Sequence, residues 1–191
     1  MWRTMWILPV ALALVCSCRS DNAPSASGVQ ADNMIQAKAA LKVTSTAFKD
    51  GGMIPKQYSC DSTGMSPPLS WSGAPVGTKS FALIVDDPDA PVGTYIHWVV
   101  WNIPANAKGI AENAPNAATM PAGSVQGVNS AKKIGWVPPC PPSGTHRYYF
   151  KLYALDTKLK LPASTDKQGL LKAMKGHVLA EGQIMGRYER S

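Results

Sequence analysis

The sequence lacks most of the short signatures that mark common catalytic machinery. It has no glycine-rich phosphate-binding loop, no Gly-x-Ser-x-Gly and no paired Cys-x-x-Cys. Those absences argue against nucleotide cradles, the serine-hydrolase elbow and cysteine-rich zinc modules. No motif implies a cofactor or a bound metal; a few His and Asp groups alone support a metal only weakly. Nor is there a Lys/Arg cluster or recognition motif, so the formal charge of +7 reads as a soluble basic surface rather than a nucleic-acid interface. The apolar run from Met5 to Val15 is too short to span a bilayer stably.

What is present suits a strand-and-loop domain. Sixteen glycines and sixteen prolines are many for a helical protein, and a chain of 191 residues with 45% hydrophobic content can bury one sizeable core. The short apolar run behind Arg3, followed by Cys16-Ser17-Cys18, reads as a bacterial lipoprotein signal over residues 1–17. Cys18, preceded by the small Ser17, is the lipidation candidate; secretion with cleavage nearby is the alternative. Arg19 in place of an aspartate points to the outer membrane, facing the periplasm. Residues 18–40 are rich in Ala, Ser, Asn, Asp and Gln and read as a flexible tether with a reach on the order of 25 Å. The folded domain is expected over residues 41–191.

Within it, Leu41–Phe48 and Leu69–Trp71 read as short strands. Ser80–Val85 is continuously apolar, as a central strand covered on both faces would be. It empties into Asp86-Asp87-Pro88-Asp89, where three carboxylates repel one another unless water or cations intervene. A solvated turn is the simple reading, and a pocket role for Asp87 is the sharper one. Thr94–Ile103 is a strand on which alternation places His97 with Val99 and Trp101, opposite Trp98 and Val100. Pro104–Gly127 reads as loop. Cys140-Pro141-Pro142-Ser143-Gly144 is a rigid turn expected to aim amides into a cavity. The strand His146–Leu155 then places His146 and Tyr148 on one face with Phe150, Leu152 and Ala154. Thr165-Asp166-Lys167-Gln168 has capping-box spacing for a helix over Asp166–Lys175 that Gly176 ends, and His177 reads as structural. Val178–Met185 is the last strand. About seven strands with one confident helix make a mainly β fold, a sandwich with one or two peripheral helices.

Cys60 and Cys140 each lie in a Pro/Gly-rich loop. Export to an oxidising compartment favours a bridge between them, and two free thiols too far apart to join is the alternative.

Three separated motifs carry a resemblance. Asp87-Pro88-Asp89-Ala90-Pro91, His97-Trp98 and Pro141-Pro142-Ser143-Gly144-Thr145-His146-Arg147-Tyr148 resemble the signature of the phosphatidylethanolamine-binding protein family. Within it, the chain is most similar to the bacterial Raf kinase inhibitor-like branch, over Leu41 to Tyr188. The resemblance implies a Greek-key β-sandwich with a small anion pocket and no family-wide catalysis. The ligand-binding residues it implies are Asp87, His97, Pro142, His146 and Tyr148, with Asp89, Ser143 and Gly144 on the rim. It implies phosphate or a phosphoethanolamine head group as ligand. A protease or kinase bound and inhibited is the alternative partner, and phosphoester hydrolysis by Asp87 and the histidines is a third reading. Gly135-Trp136-Val137-Pro138-Pro139 departs from the glycine-rich run of bacterial relatives, which removes backbone amides an anion could use. The chain ends at Ser191 without the closing helix of animal members, so a more open site is expected.

Overall fold

A computed structural model of the chain describes residues 39–190. The expected signal segment, Cys18 and nearly all of the expected tether lie outside those residues. Nine strands and one α-helix occur among them: β1 Ala39–Ala40, β2 Lys42–Thr44, β3 Leu69–Ser72, β4 Ser80–Asp87, β5 Tyr95–Pro104, β6 Gly109–Ile110, β7 Val125–Gln126, β8 Thr145–Leu155, α1 Lys167–Met174 and β9 Val178–Glu189. Short 3-10 turns occupy Lys56–Tyr58 and Pro121–Gly123. None of the described helices is long and apolar enough to cross a membrane.

Two sheets form a mainly β sandwich. The larger has the order β1-β9-β8-β4-β5-β7, and the smaller is β2-β3-β6. All neighbours are antiparallel except β1, which runs parallel to β9 with Ala39 opposite Ala180. Ala39 and Ala40, which composition places in the tether, therefore belong to the sheet. The stretch read as loop after Pro104 contributes β6 and β7, two-residue strands too short to show a period.

The order of strands explains the composition of β4. It lies between β5 and β8, and all eight of its residues are buried. Phe81, Leu83 and Val85 point into the sandwich interior with Phe150, Leu152, Trp98 and Val100. Ala82 and Ile84 point the other way, into a second core with Val99, Trp101, Leu155, Leu170 and Met174. Covering both faces removes the polar alternation that a half-exposed strand shows. The helix that closes this second core starts at Lys167, with Asp166 as its N-cap accepting from the Gly169 N–H at 2.9 Å. Thr165, which the capping-box spacing would make the cap, sits one position too early. Gly176 has φ +84°, which a side chain would strain.

Candidate functional site

The carboxylates at the end of β4 do not share one solvated turn. Strand alternation sends Asp86 to the outer face and Asp87 to the inner, and each finds its own partner. Asp86, 1% exposed, accepts from Lys151 Nζ at 2.8 Å and Lys167 Nζ at 2.6 Å. Asp87 holds His146 Nδ1 at 2.7 Å. Asp89 receives Arg147, whose Nη2 lies at 2.7 Å and whose Nε and backbone N–H lie at 2.9 Å. The Arg147 bonds draw the Asp89 carboxyl down to about 2.

Four polar side chains, Asp87, His97, His146 and Tyr148, meet at one end of the inner face, lining a cavity of about 250 Å³. Pro142 lines it with Tyr95, Val137 and Cys140. His146 and Tyr148 stand on β8 in register with Phe150, as alternation requires; Tyr148 is fully buried. Asp87 Oδ1 accepts the Asp89 N–H at 2.8 Å while Oδ2 takes His146, so both oxygens are engaged.

His97 arrives by a different route from the one alternation predicts. Val85 pairs with Trp98 but Asp86 pairs with Ile96, so β5 carries one extra residue, His97, opposite β4. This β-bulge puts His97 and Trp98 on the same side. Ile96, Val99 and Trp101 pack in the outer core while Trp98 packs in the inner one. His97 therefore faces the cavity, with its ring 5.1 Å from that of Tyr148 and 4.9 Å from that of Tyr95. Nothing in the period-2 pattern announces the extra residue.

The segment after Gly135 fixes His97. Val137 donates its N–H to the His97 carbonyl at 3.0 Å, and its own carbonyl accepts from His97 Nδ1 at 2.8 Å. Trp136 is stacked between the site and the core, with its ring 6.2 Å from His97 and 6.1 Å from Phe150. Its indole N–H is held by the Gly64 carbonyl at 3.0 Å. Sequence reasoning missed Tyr95, Trp136 and Val137 as site residues. The run in which glycines are missing supplies a carbonyl to His97 and an aromatic ring packed behind it instead.

Two buried polar atoms here make no well-formed hydrogen bond among the described residues, His97 Nε2 and the Tyr148 hydroxyl, which lies near the Asp87 carboxylate. Burial, opposed by the Val137 bond, lowers the pKa of His97. Burial and then the charge of Asp87 push the Tyr148 phenol upward, so it stays protonated and able to donate. Such unsatisfied groups cost about 1–3 kcal/mol each and mark a place where a partner is wanted.

Three expected rim residues lie elsewhere. Ser143 and Gly144 are exposed and outside the cavity lining, because Gly144, at φ +65°, turns the chain outward before β8. Asp89 is outside it too, tied to Arg147. Cys60 and Cys140 are joined by a disulfide with Cα atoms 5.4 Å apart, and Cys140 forms part of the cavity wall. His177 is exposed and pairs with Asp156 at 2.8 Å, a turn contact as expected. No group of three His, Cys, Asp or Glu among the described residues converges as metal ligands do.

The chain matches the model of a family described as phosphatidylethanolamine-binding protein over residues 44–189. A UPF0098 protein of Methanothermobacter thermautotrophicus is 51% identical over 150 residues, covering 78% of this chain and 99% of that protein. The crystal structure of CT736 from Chlamydia trachomatis, a phosphatidylethanolamine-binding protein homologue, is 46% identical with a TM-score of 0.75 and covers 80% of this chain and 99% of that one. YbcL of E. coli, described as a member of the mammalian family of this kind, is 35% identical with a TM-score of 0.74 and covers 80% of this chain and 100% of its own.

Proposed function

The chain belongs to the phosphatidylethanolamine-binding protein family, and on that premise we propose that it is a binding module whose cavity holds phosphate or a phosphoethanolamine head group. The observation that carries this reading is the pair of buried atoms without a well-formed hydrogen bond, His97 Nε2 and the Tyr148 hydroxyl, beside the Asp87–His146 pair. A phosphoryl group brings oxygens to Tyr148 and to His146, whose Nδ1 is already committed to Asp87 and whose Nε2 is left for a ligand. An ammonium group would add a donor for the acceptors of the site. The cavity of about 250 Å³ fits a ligand of that size. Charge-assisted hydrogen bonds contribute about 1.5–3 kcal/mol each, so a few give weak to moderate affinity after the entropic costs of association.

Calorimetry with inorganic phosphate and phosphoethanolamine between pH 5 and 8 tests the reading. One-to-one binding, lost in His146→Ala, is expected; no binding at any pH overturns it. The same module is proposed to sit at a bacterial outer membrane, facing the periplasm, through lipid on Cys18. Release of Cys18→Ser into the soluble fraction supports that placement, and no incorporation of labelled fatty acid by the parent protein overturns it.

A second reading rests on the Asp87–His146 pair itself. A carboxylate orienting an imidazole at 2.7 Å is also what a general base acting on water needs. Phosphoester turnover that disappears in His146→Ala would favour hydrolysis over simple binding.

A further inference from the structure

We propose that the cavity selects a phosphomonoester carrying one proton on its phosphoryl group, and discriminates against the phosphodiester of an intact phospholipid, because His97 meets the ligand as a hydrogen-bond acceptor. This rests on the head-group reading above and narrows it to one ligand class.

The tautomer of His97 is set by its partner. A peptide carbonyl can only accept, so the 2.8 Å contact with Val137 requires the proton on Nδ1. A neutral ring then presents a bare lone pair at Nε2, and that atom is buried in a residue only 4% exposed. The groups facing it are Asp87 from β4, His146 and Tyr148 from β8, and Tyr95 from its own strand; Asp86, on the outer face, reaches the ring only through its charge. Each Asp87 oxygen already accepts one hydrogen bond, from His146 and from the Asp89 N–H. Burial disfavours a second proton on the ring, and this outweighs the opposing pull of the Val137 bond and the two carboxylates.

The cavity therefore offers the Tyr148 hydroxyl and, when protonated, His146 Nε2 as donors, with His97 Nε2 as an acceptor. A monoester monoanion presents the complement: oxygens that accept and one P–OH that donates. The phosphoryl group of a diester has acceptors only, and would set an oxygen lone pair against that of Nε2. It can bind well only if the buried ring first takes a proton from solvent. A monoester dianion meets the same lone pair and brings a second negative charge beside Asp87, so it too must acquire a proton to fit. Whether that proton rests on oxygen or on Nε2 in the complex, the count is the same.

Calorimetry of the full chain with phosphoethanolamine and glycerophosphoethanolamine, each in two buffers of different ionisation enthalpy at pH 7.5, reads the proton directly. Phosphoethanolamine is expected to bind with uptake of about one proton for its phosphoryl group, beside any that His146 takes up, since the second phosphate pKa is ~6. Its affinity should fall ~10-fold per pH unit above that value. Glycerophosphoethanolamine should bind at least ~10-fold more weakly at the same pH. His97→Gln, whose amide can turn its NH2 to the ligand in place of the lone pair, should lower proton uptake by about one relative to the parent protein and bring the two ligands closer in affinity. Equal affinity of the two ligands for the parent protein, or monoester binding without proton uptake, overturns the inference while leaving head-group binding intact. Binding of neither ligand overturns the head-group reading itself. The ligand comparison uses the unmutated protein, so it stands even if His97→Gln does not fold.

Discussion

Tyr148 carries a fully buried hydroxyl that lies near Asp87 without forming a well-made hydrogen bond, so it should contribute little to folding and much to binding. Tyr148→Phe removes an unsatisfied donor without opening a cavity. Stability in urea should be unchanged or raised by about 1 kcal/mol, while phosphate affinity falls ~10-fold. Loss of stability comparable to that of a core truncation would mean that the hydroxyl makes a well-formed hydrogen bond in the folded protein. Asp89 is the contrasting case, a carboxylate tied to Arg147 at the surface. Its folded pKa, about 2, lies below the ordinary value near 4. A depressed carboxyl pKa stabilises above the unfolded value and loses that effect as pH falls through the folded one. The pair is solvent-screened, so Asp89→Asn should cost about 1 kcal/mol or less above pH 5. The difference from the parent protein should vanish between about pH 4 and about pH 2. Denaturant melts across that range check it, and a difference that persists at pH 2 contradicts the assignment.

At the scale of elements, the site depends on where strands depart from regular pairing. The bulge on β5 places His97 in the cavity, and the Val137 segment holds it there through two hydrogen bonds. The N-terminal strands dock on β9 by an equally specific contact. Leu41 N–H donates to the Glu181 carbonyl at 2.9 Å, and a Cβ on Gly182 would lie 2.0 Å from the Leu41 carbonyl oxygen. That atom is backbone and cannot swing aside. Gly182→Ala should therefore destabilise the domain by about 1–3 kcal/mol, with early loss of amide protection in β1 and β2. Thermal melting and hydrogen exchange measure both, and wild-type protection at Leu41 would show that the crossing is looser than this.

At the scale of the whole molecule, the Cys60–Cys140 bridge closes a loop of 80 residues and joins the loop before β3 to the cavity wall. Both cysteines are exposed, so reductant can reach them. By the chain-entropy estimate, reduction should lower stability by about 4 kcal/mol, less any strain that it relieves. The Cys60 loop has other anchors. Ser59 Oγ donates to the Tyr188 hydroxyl at 2.7 Å, and that hydroxyl donates to Asp61 at 2.7 Å. The reduced protein should thus keep its sheet structure at room temperature while unfolding at lower denaturant. Identical unfolding curves with and without reductant, with free thiols confirmed, would contradict this.

The sequence by itself determined the features that depend on chain-local chemistry. The apolar run of β4, the alternation of His146, Tyr148 and Phe150 on β8, and the helix ended by Gly176 follow from side-chain period and backbone freedom. Asp87, His97, His146 and Tyr148 were legible as a set through the motifs shared with a known family, and the structure brings them to one cavity. Tertiary structure alone decided the rest. The extra residue of β5 is defined only by its register against β4, so alternation put His97 on the wrong face. The separate partners of Asp86, Asp87 and Asp89 come from β8 and α1, which lie far along the chain. Trp136 and Val137 acquire their roles, and Cys60 and Cys140 their proximity, only when distant segments meet. Period and propensity describe a residue against its chain neighbours, whereas a cavity is made by neighbours in space.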